Sequence, residues 1–96
     1  MGSAGNGKAF CLANPEPPYP EAARDAQIEG TVELVVSVSQ TGNVTAVRLV
    51  KTSGDPSLDQ SALHTVRTLW KFHPATNAGI PVSSDVLAPI TFRLSD

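Results

Sequence analysis

"GTVELVVSVSQTGNVTAVRLVKTSG", residues 30–54, decides the fold. Val32, Leu34, Val36 and Val38 alternate with Thr31, Glu33, Val35 and Ser37. A period of two sends each set to its own face of a strand, one buried and one mostly wet. "SQTGN" follows as the turn, with Gly42 at the position that wants positive φ. In the returning strand Val47 and Leu49 share a face, while Val44 and Val50 fall out of phase with them. A β-bulge near Thr45 brings Val44 back into line. The reading is an antiparallel hairpin with one apolar face that other elements must cover.

Toward the C-terminus, "SGDPSLDQSALHTVRTLW" carries helix-start signals. Asp55 suits the N-cap, Pro56 the first helical position and Asp59 the acid-favouring first turn. Leu58, Ala62, Val66 and Leu69 recur on one helical stripe. Trp70 and Phe72 follow as the chain leaves the helix, and Pro74 stops it from continuing. "HPATNAGIPVSSD" reads as a connector. Then Val86, Ala88, Ile90, Phe92 and Leu94 alternate along a last strand, 86–94, which can begin as early as Val82.

Toward the N-terminus, Pro15, Pro17, Pro18 and Pro20 stand close together. Each fixes its own φ and pushes the residue before it extended, so this is a semi-rigid arm. Pro20 and Glu21 then open a short helix, 20–26, with Ala22, Ala23 and Ala26 as helix formers and Gly30 beyond its exit. Residues 1–13 are expected to be a flexible leader, native or added for expression, and 14–96 the folded domain, with 14–19 as the proline-rich arm. The fold class expected is α+β: a three-stranded antiparallel sheet with two helices packed on one face, in the order helix-strand-strand-helix-strand. Trp70, Phe72 and Phe92 join the aliphatic faces in one core.

Pro89 sits inside the last strand. A proline donates nothing to a ladder, so its missing N–H must lie on an unpaired side, and the strand must be an edge. A strand residue's N–H and C=O point to one side, and the side alternates along the chain. Leu87, Thr91, Arg93 and Ser95 share the parity of Pro89, so their backbone groups are expected to face outward. Two readings stay open here. An edge proline can simply prevent aggregation, or the edge can serve to dock another strand.

Composition narrows the function classes. With 96 residues, 41% hydrophobic and 17% charged, the chain is one globular domain. A single cysteine, Cys11, excludes an internal disulfide. The net charge is −2, and the seven Lys and Arg are scattered, so no basic stripe addresses a nucleic-acid backbone. No apolar run reaches the roughly 18 residues of a membrane span, and "MGSAGNGKAF" lacks the basic-then-apolar order of a signal peptide. His64 reads as a surface helix residue and His73 as a packing residue. No spacing matches a metal site, a nucleophile elbow or a phosphate-cradling loop. No enzyme activity, cofactor, metal or catalytic residue is expected.

The pieces together carry a resemblance. "YP" opening a short helix, then "IEGTVELVVSVSQTGNVTAVRLVKTSG", "LDQSALHTVRTLWKFHP", "GIPV" and "PITFRL" resemble, in this order and spacing, the C-terminal domain of TonB-family energy transducers over residues 18–94. The resemblance implies a periplasmic domain of a protein anchored in the Gram-negative inner membrane. Its N-terminal region, outside this sequence, works with ExbB and ExbD. It also implies binding, by strand addition beside the last strand, of the TonB box of outer-membrane receptors that take up iron-siderophore, haem or cobalamin. Carried onto this chain, the partner-binding residues are Glu16, Pro17, Tyr19 and Pro20 in and after the arm, and Leu87, Thr91, Arg93 and Ser95 on the edge strand. Glu16, Glu21 and Ala22 stand where some members have Gln in the arm and Arg after "YP", which implies a different receptor set, as in a HasB-like paralogue. The alternative on the same fold is a TolA-like periplasmic adaptor. An open edge also implies a weak homodimer that depends on chain length.

Overall fold

The structure is a computed structural model that describes residues 7–94. Its elements run β1 (Phe10–Ala13), α1 (Glu21–Asp25), β2 (Gly30–Val38), β3 (Val44–Lys51), α2 (Pro56–Leu69), β4 (Lys71–His73), β5 (Ala75–Asn77), β6 (Ile80–Val82) and β7 (Ser84–Phe92). The main sheet is antiparallel, with strand order β3-β2-β7. This is the expected α+β architecture, with the hairpin as its heart and the last strand as its second edge.

The centre follows from the alternation. Val32, Leu34, Val36 and Val38 are almost wholly buried, as are Leu58, Ala62 and Val66 on the facing stripe of α2. Ala88, Ile90 and Phe92 of β7 and Phe72 of β4 complete the layer, with Ala23 of α1. At about 1.5–3 kcal/mol for each large aliphatic or aromatic side chain, this layer supplies most of the burial energy of so small a domain.

The hairpin has the bulge that phase demanded: Ser37 pairs with Ala46 and Val38 with Val44, leaving Thr45 over. A second irregularity was not foreseen. Glu33 pairs with Lys51 but Leu34 with Leu49, so Val50 is skipped as well and lies 52% exposed. Skipping Thr45 returns Val44 to the face of Val47, where both are half-buried against the core opposite Val38 and Val36, while skipping Val50 sets Lys51 opposite Glu33 on the outer face. Leu49, opposite Leu34, is 39% exposed.

Several expectations are corrected. Within the expected leader, residues 10–13 form β1, which pairs with β4: Phe10 lies opposite His73, stacked at 4.7 Å between ring centroids, and Cys11 lies opposite Phe72. All four β1 residues are exposed, so no apolar alternation announced the strand. Residues 1–6 of that leader lie outside the described residues. The connector contains the hairpin β5–β6, in which Ala78 and Gly79 at the turn have φ of 53° and 81°. Leu69, expected on the buried stripe, is the last residue of α2 and is 55% exposed, so the stripe ends at Val66. Pro20 is the residue before α1, with ψ of 137°, rather than its first helical residue.

Asp55 flanks α2 at the N-cap without a side-chain cap bond and instead accepts from Ser57 Oγ at 2.7 Å. The anchoring acid is Asp59. Its carboxylate accepts from the Thr52 hydroxyl, from Ser53 N–H at 2.9 Å and from Ser53 Oγ at 2.7 Å. Asp59 therefore ties α2 to the segment that leaves β3, and its burial is compensated by hydrogen bonds.

Candidate functional site

β7 ends the sheet. On one side it pairs with β2 along its whole length, from Gly30 opposite Phe92 to Val38 opposite Ser84. On the other side it has no sheet neighbour among the described residues. Ala88, Ile90 and Phe92 are buried, while Leu87, Pro89, Thr91 and Arg93 are exposed. Pro89 lies opposite Glu33. A pair that includes proline cannot exchange both ladder bonds, so the neighbouring pairs Val32–Ile90 and Leu34–Ala88 carry them. Thr31 and Thr91 join across the outer face by their hydroxyls at 3.1 Å, and Ser37 Oγ donates to Asp85 at 3.0 Å.

The proline arm lies along this edge, and side chains hold it there. Trp70 Nε1 donates to the Pro15 carbonyl at 3.0 Å. Ser61 Oγ donates to the Pro18 carbonyl at 2.5 Å. The Tyr19 hydroxyl donates to the Ile28 carbonyl, and the Tyr19 ring meets Phe92 edge-on at 5.5 Å. The arm is thus tied to α2 and its C-cap, to the entry to β2 and to the buried Phe92 of β7. Prolines suit it because their own missing N–H groups need no partner, while their carbonyls remain acceptors. On the β2 side, Glu29 extends the pairing just beyond Phe92 by accepting Leu94 N–H at 2.7 Å.

Between arm and strand is a cleft of about 310 Å³. Asn14, Glu16, Pro17 and Tyr19 form its arm side, and residues 89–93 its strand side, with Trp70 between. Of the residues expected in the site, Glu16, Pro17, Tyr19, Thr91 and Arg93 meet in this cleft. Leu87 lies in a second cleft further along the same strand. Pro20 borders neither, and Ser95 is outside the described residues.

Trp70 was missed as a site residue. It was expected in the core; it is half-buried, 6.3 Å from Phe72 between ring centroids, and faces the cleft. Its indole N–H was the only signal, since an indole that is partly buried needs an acceptor, but nothing in the sequence pointed to Pro15 as that acceptor.

The architecture is thus that of a small α+β domain with one open sheet edge and an arm pinned alongside it. A family model described as the Gram-negative bacterial TonB protein C-terminal matches residues 15–94. The chain belongs to this family of TonB C-terminal domains. It is 40% identical over 86 residues to Protein TonB of Vibrio cholerae, covering 90% of this chain and 35% of that protein. It is 38% identical over 84 residues to Protein tonB2 of Pseudomonas aeruginosa, covering 88% and 31%. The chain therefore spans about a third of the length of these relatives. Among solved structures it is similar to the solution NMR structure of the Pseudomonas aeruginosa TonB CTD, with TM-score 0.75 at 19% identity over 93% of this chain and 89% of that one. It is also similar to that of the Helicobacter pylori TonB-CTD, with TM-score 0.64 at 22% identity, covering 84% of each chain.

Proposed function

We propose that the open edge of β7, with the arm beside it, binds the TonB box of a TonB-dependent outer-membrane receptor by strand addition. The domain would act in the periplasm as the far end of a protein anchored in the inner membrane. There it would work with ExbB and ExbD and pass energy derived from the proton-motive force to receptors for siderophore, haem or cobalamin uptake. One observation carries the reading: a nine-residue strand open on one side, with Pro89 inside it and a cleft shared with the arm. Main-chain hydrogen bonds to such an edge supply affinity, and alternate side chains supply specificity. Thr91 and Arg93 flank the open backbone groups, and Glu16 and Tyr19 face them from the arm.

A TonB-box peptide titrated into the isotope-labelled chain should shift the amides of Thr91 and Arg93. The dissociation constant should be weak, about 10⁻⁴ to 10⁻⁶ M, because a flexible segment is ordered on binding. Shifts confined to β3, or none at all, would refute the assignment.

A further inference from the structure

The second cleft lies at the other end of the same edge, with a volume of about 580 Å³. Its strand side is residues 84–87, and its opposite wall is residues 7–9 together with Ala75. The wall is held by a two-way bridge: Gly7 N–H donates to the Thr76 carbonyl at 3.0 Å, and Thr76 N–H donates back to Gly7 at 3.0 Å. The N-terminal chain therefore borders β7 twice, first at residues 7–9 and again at the arm.

Three features suit this cleft to a peptide. Ser84 Oγ is buried and has no hydrogen-bond partner among the described residues, a state that costs free energy until a partner arrives. The wall side chains Ala9 and Ala75 are small and pack toward the core beside Val86, so a larger apolar side chain has room between them. Leu87 is 58% exposed on the opposite face of the strand, where an apolar cross-strand neighbour would cover it. The charges bordering the cleft, Lys8 and Asp85, are opposite in sign and favour an uncharged occupant.

We propose that this cleft is a second subsite of the β7 edge, which takes the continuation of the same extended polypeptide past Pro89. It would seat one apolar side chain against Ala9, Ala75 and Val86, and place a hydrogen-bonding group on Ser84 Oγ. This rests on the proposed function and extends it: the recognised segment is long enough to follow residues 84–93, roughly 30 Å of strand. Pro89 then interrupts the added ladder by one bond without ending it.

The test uses one TonB-box peptide at two lengths, about five residues and about ten, the longer continuing along its receptor's own sequence. The longer peptide should shift the amides of Ser84, Val86 and Leu87 as well as Thr91 and Arg93, and bind about tenfold tighter. Ala9→Leu should cancel that gain and leave the short peptide's affinity within about twofold. Ser84→Ala, which removes the unpartnered hydroxyl that the longer peptide would satisfy, should lose several-fold for the longer peptide only, and it serves if Ala9→Leu lowers the melting temperature. If both peptides shift only Thr91 and Arg93, with equal affinity, the second subsite is overturned and the proposed function stands. If neither shifts any β7 amide, the proposed function fails and the subsite with it.

Discussion

Gly42 shows how one residue can be fixed twice. Its φ is 88°, and a Cβ built on it would stand 2.2 Å from the Phe72 carbonyl oxygen. The same residue accepts Phe72 N–H through its own carbonyl at 3.1 Å. Gly42→Ala combines left-handed strain with a clash against backbone that cannot swing away, and should cost at least about 1–3 kcal/mol in urea unfolding. A neutral result would mean that the hairpin turn and β4 do not meet. Asp59 offers a test by pH. Burial alone would raise its carboxyl, but the hydrogen bonds from Thr52 and Ser53 outweigh burial and hold it below the ordinary range. A carboxyl depressed in the folded state binds its proton more readily when unfolded. Its stabilisation is therefore present above about pH 4, the unfolded value, and is lost as pH falls through the lower folded value. Wild-type stability should drop across that acid window. Asp59→Asn should flatten the drop and cost about 1–3 kcal/mol at neutral pH. Parallel pH profiles for the two proteins would exclude Asp59 as the source.

At the scale of elements, legibility follows burial. β2, α2 and β7 could be read because each presents a one-sided apolar pattern, and that pattern is what packing uses. The Thr45 bulge could be read from phase, because a slipped residue flips the faces around it. The Val50 bulge could not, because an exposed valine at a strand end looks the same skipped or paired. β1, β5 and β6 were illegible for a related reason: they are held by backbone pairing and stacking at the surface, which leaves little trace in side-chain periodicity. The same division runs through the candidate site. Pro89 and the parity of its neighbours were legible, since the edge follows from the chemistry of proline. The Trp70–Pro15 bond was not, since it joins residues 55 apart in sequence. Pro89 also yields a prediction. Pro89→Val restores an N–H on the outward side and improves β-propensity. The core should be unaffected because the side chain is exposed, while the edge becomes a better template for a second copy. Light scattering should show more dimer or aggregate than wild type at equal concentration. Wild-type behaviour would indicate that the arm, rather than the proline, guards the edge.

For the whole molecule, the distribution of burial sets an order of local stability. β2 has a strand on each side, and four of its side chains are almost wholly buried under α2. Opening it must break both ladders and expose the core, so its amides should exchange only through global unfolding, at about 5–10 kcal/mol for a domain of this size. β7 has one ladder, with Ala88, Ile90 and Phe92 buried beneath it, and should come next. β1 has a single three-residue partner and no buried side chain, so it should open far more easily, as should the short hairpin β5–β6. The arm falls between these, because the bonds to Pro15, Pro18 and Ile28 must break before it lifts. Native-state hydrogen exchange should therefore rank the amides of β2 slowest and β7 next, with the Trp70 indole N–H, which is bonded to the arm, between β7 and β1, and β1 fastest. The ranking has a functional consequence. Both walls of the proposed docking edge would be mobile relative to the strand they border, so a partner could enter by displacing chain that costs little to move, while the sheet receiving it stays closed. β1 amides protected as strongly as those of β2 would contradict this order and make the N-terminal wall a rigid part of the domain.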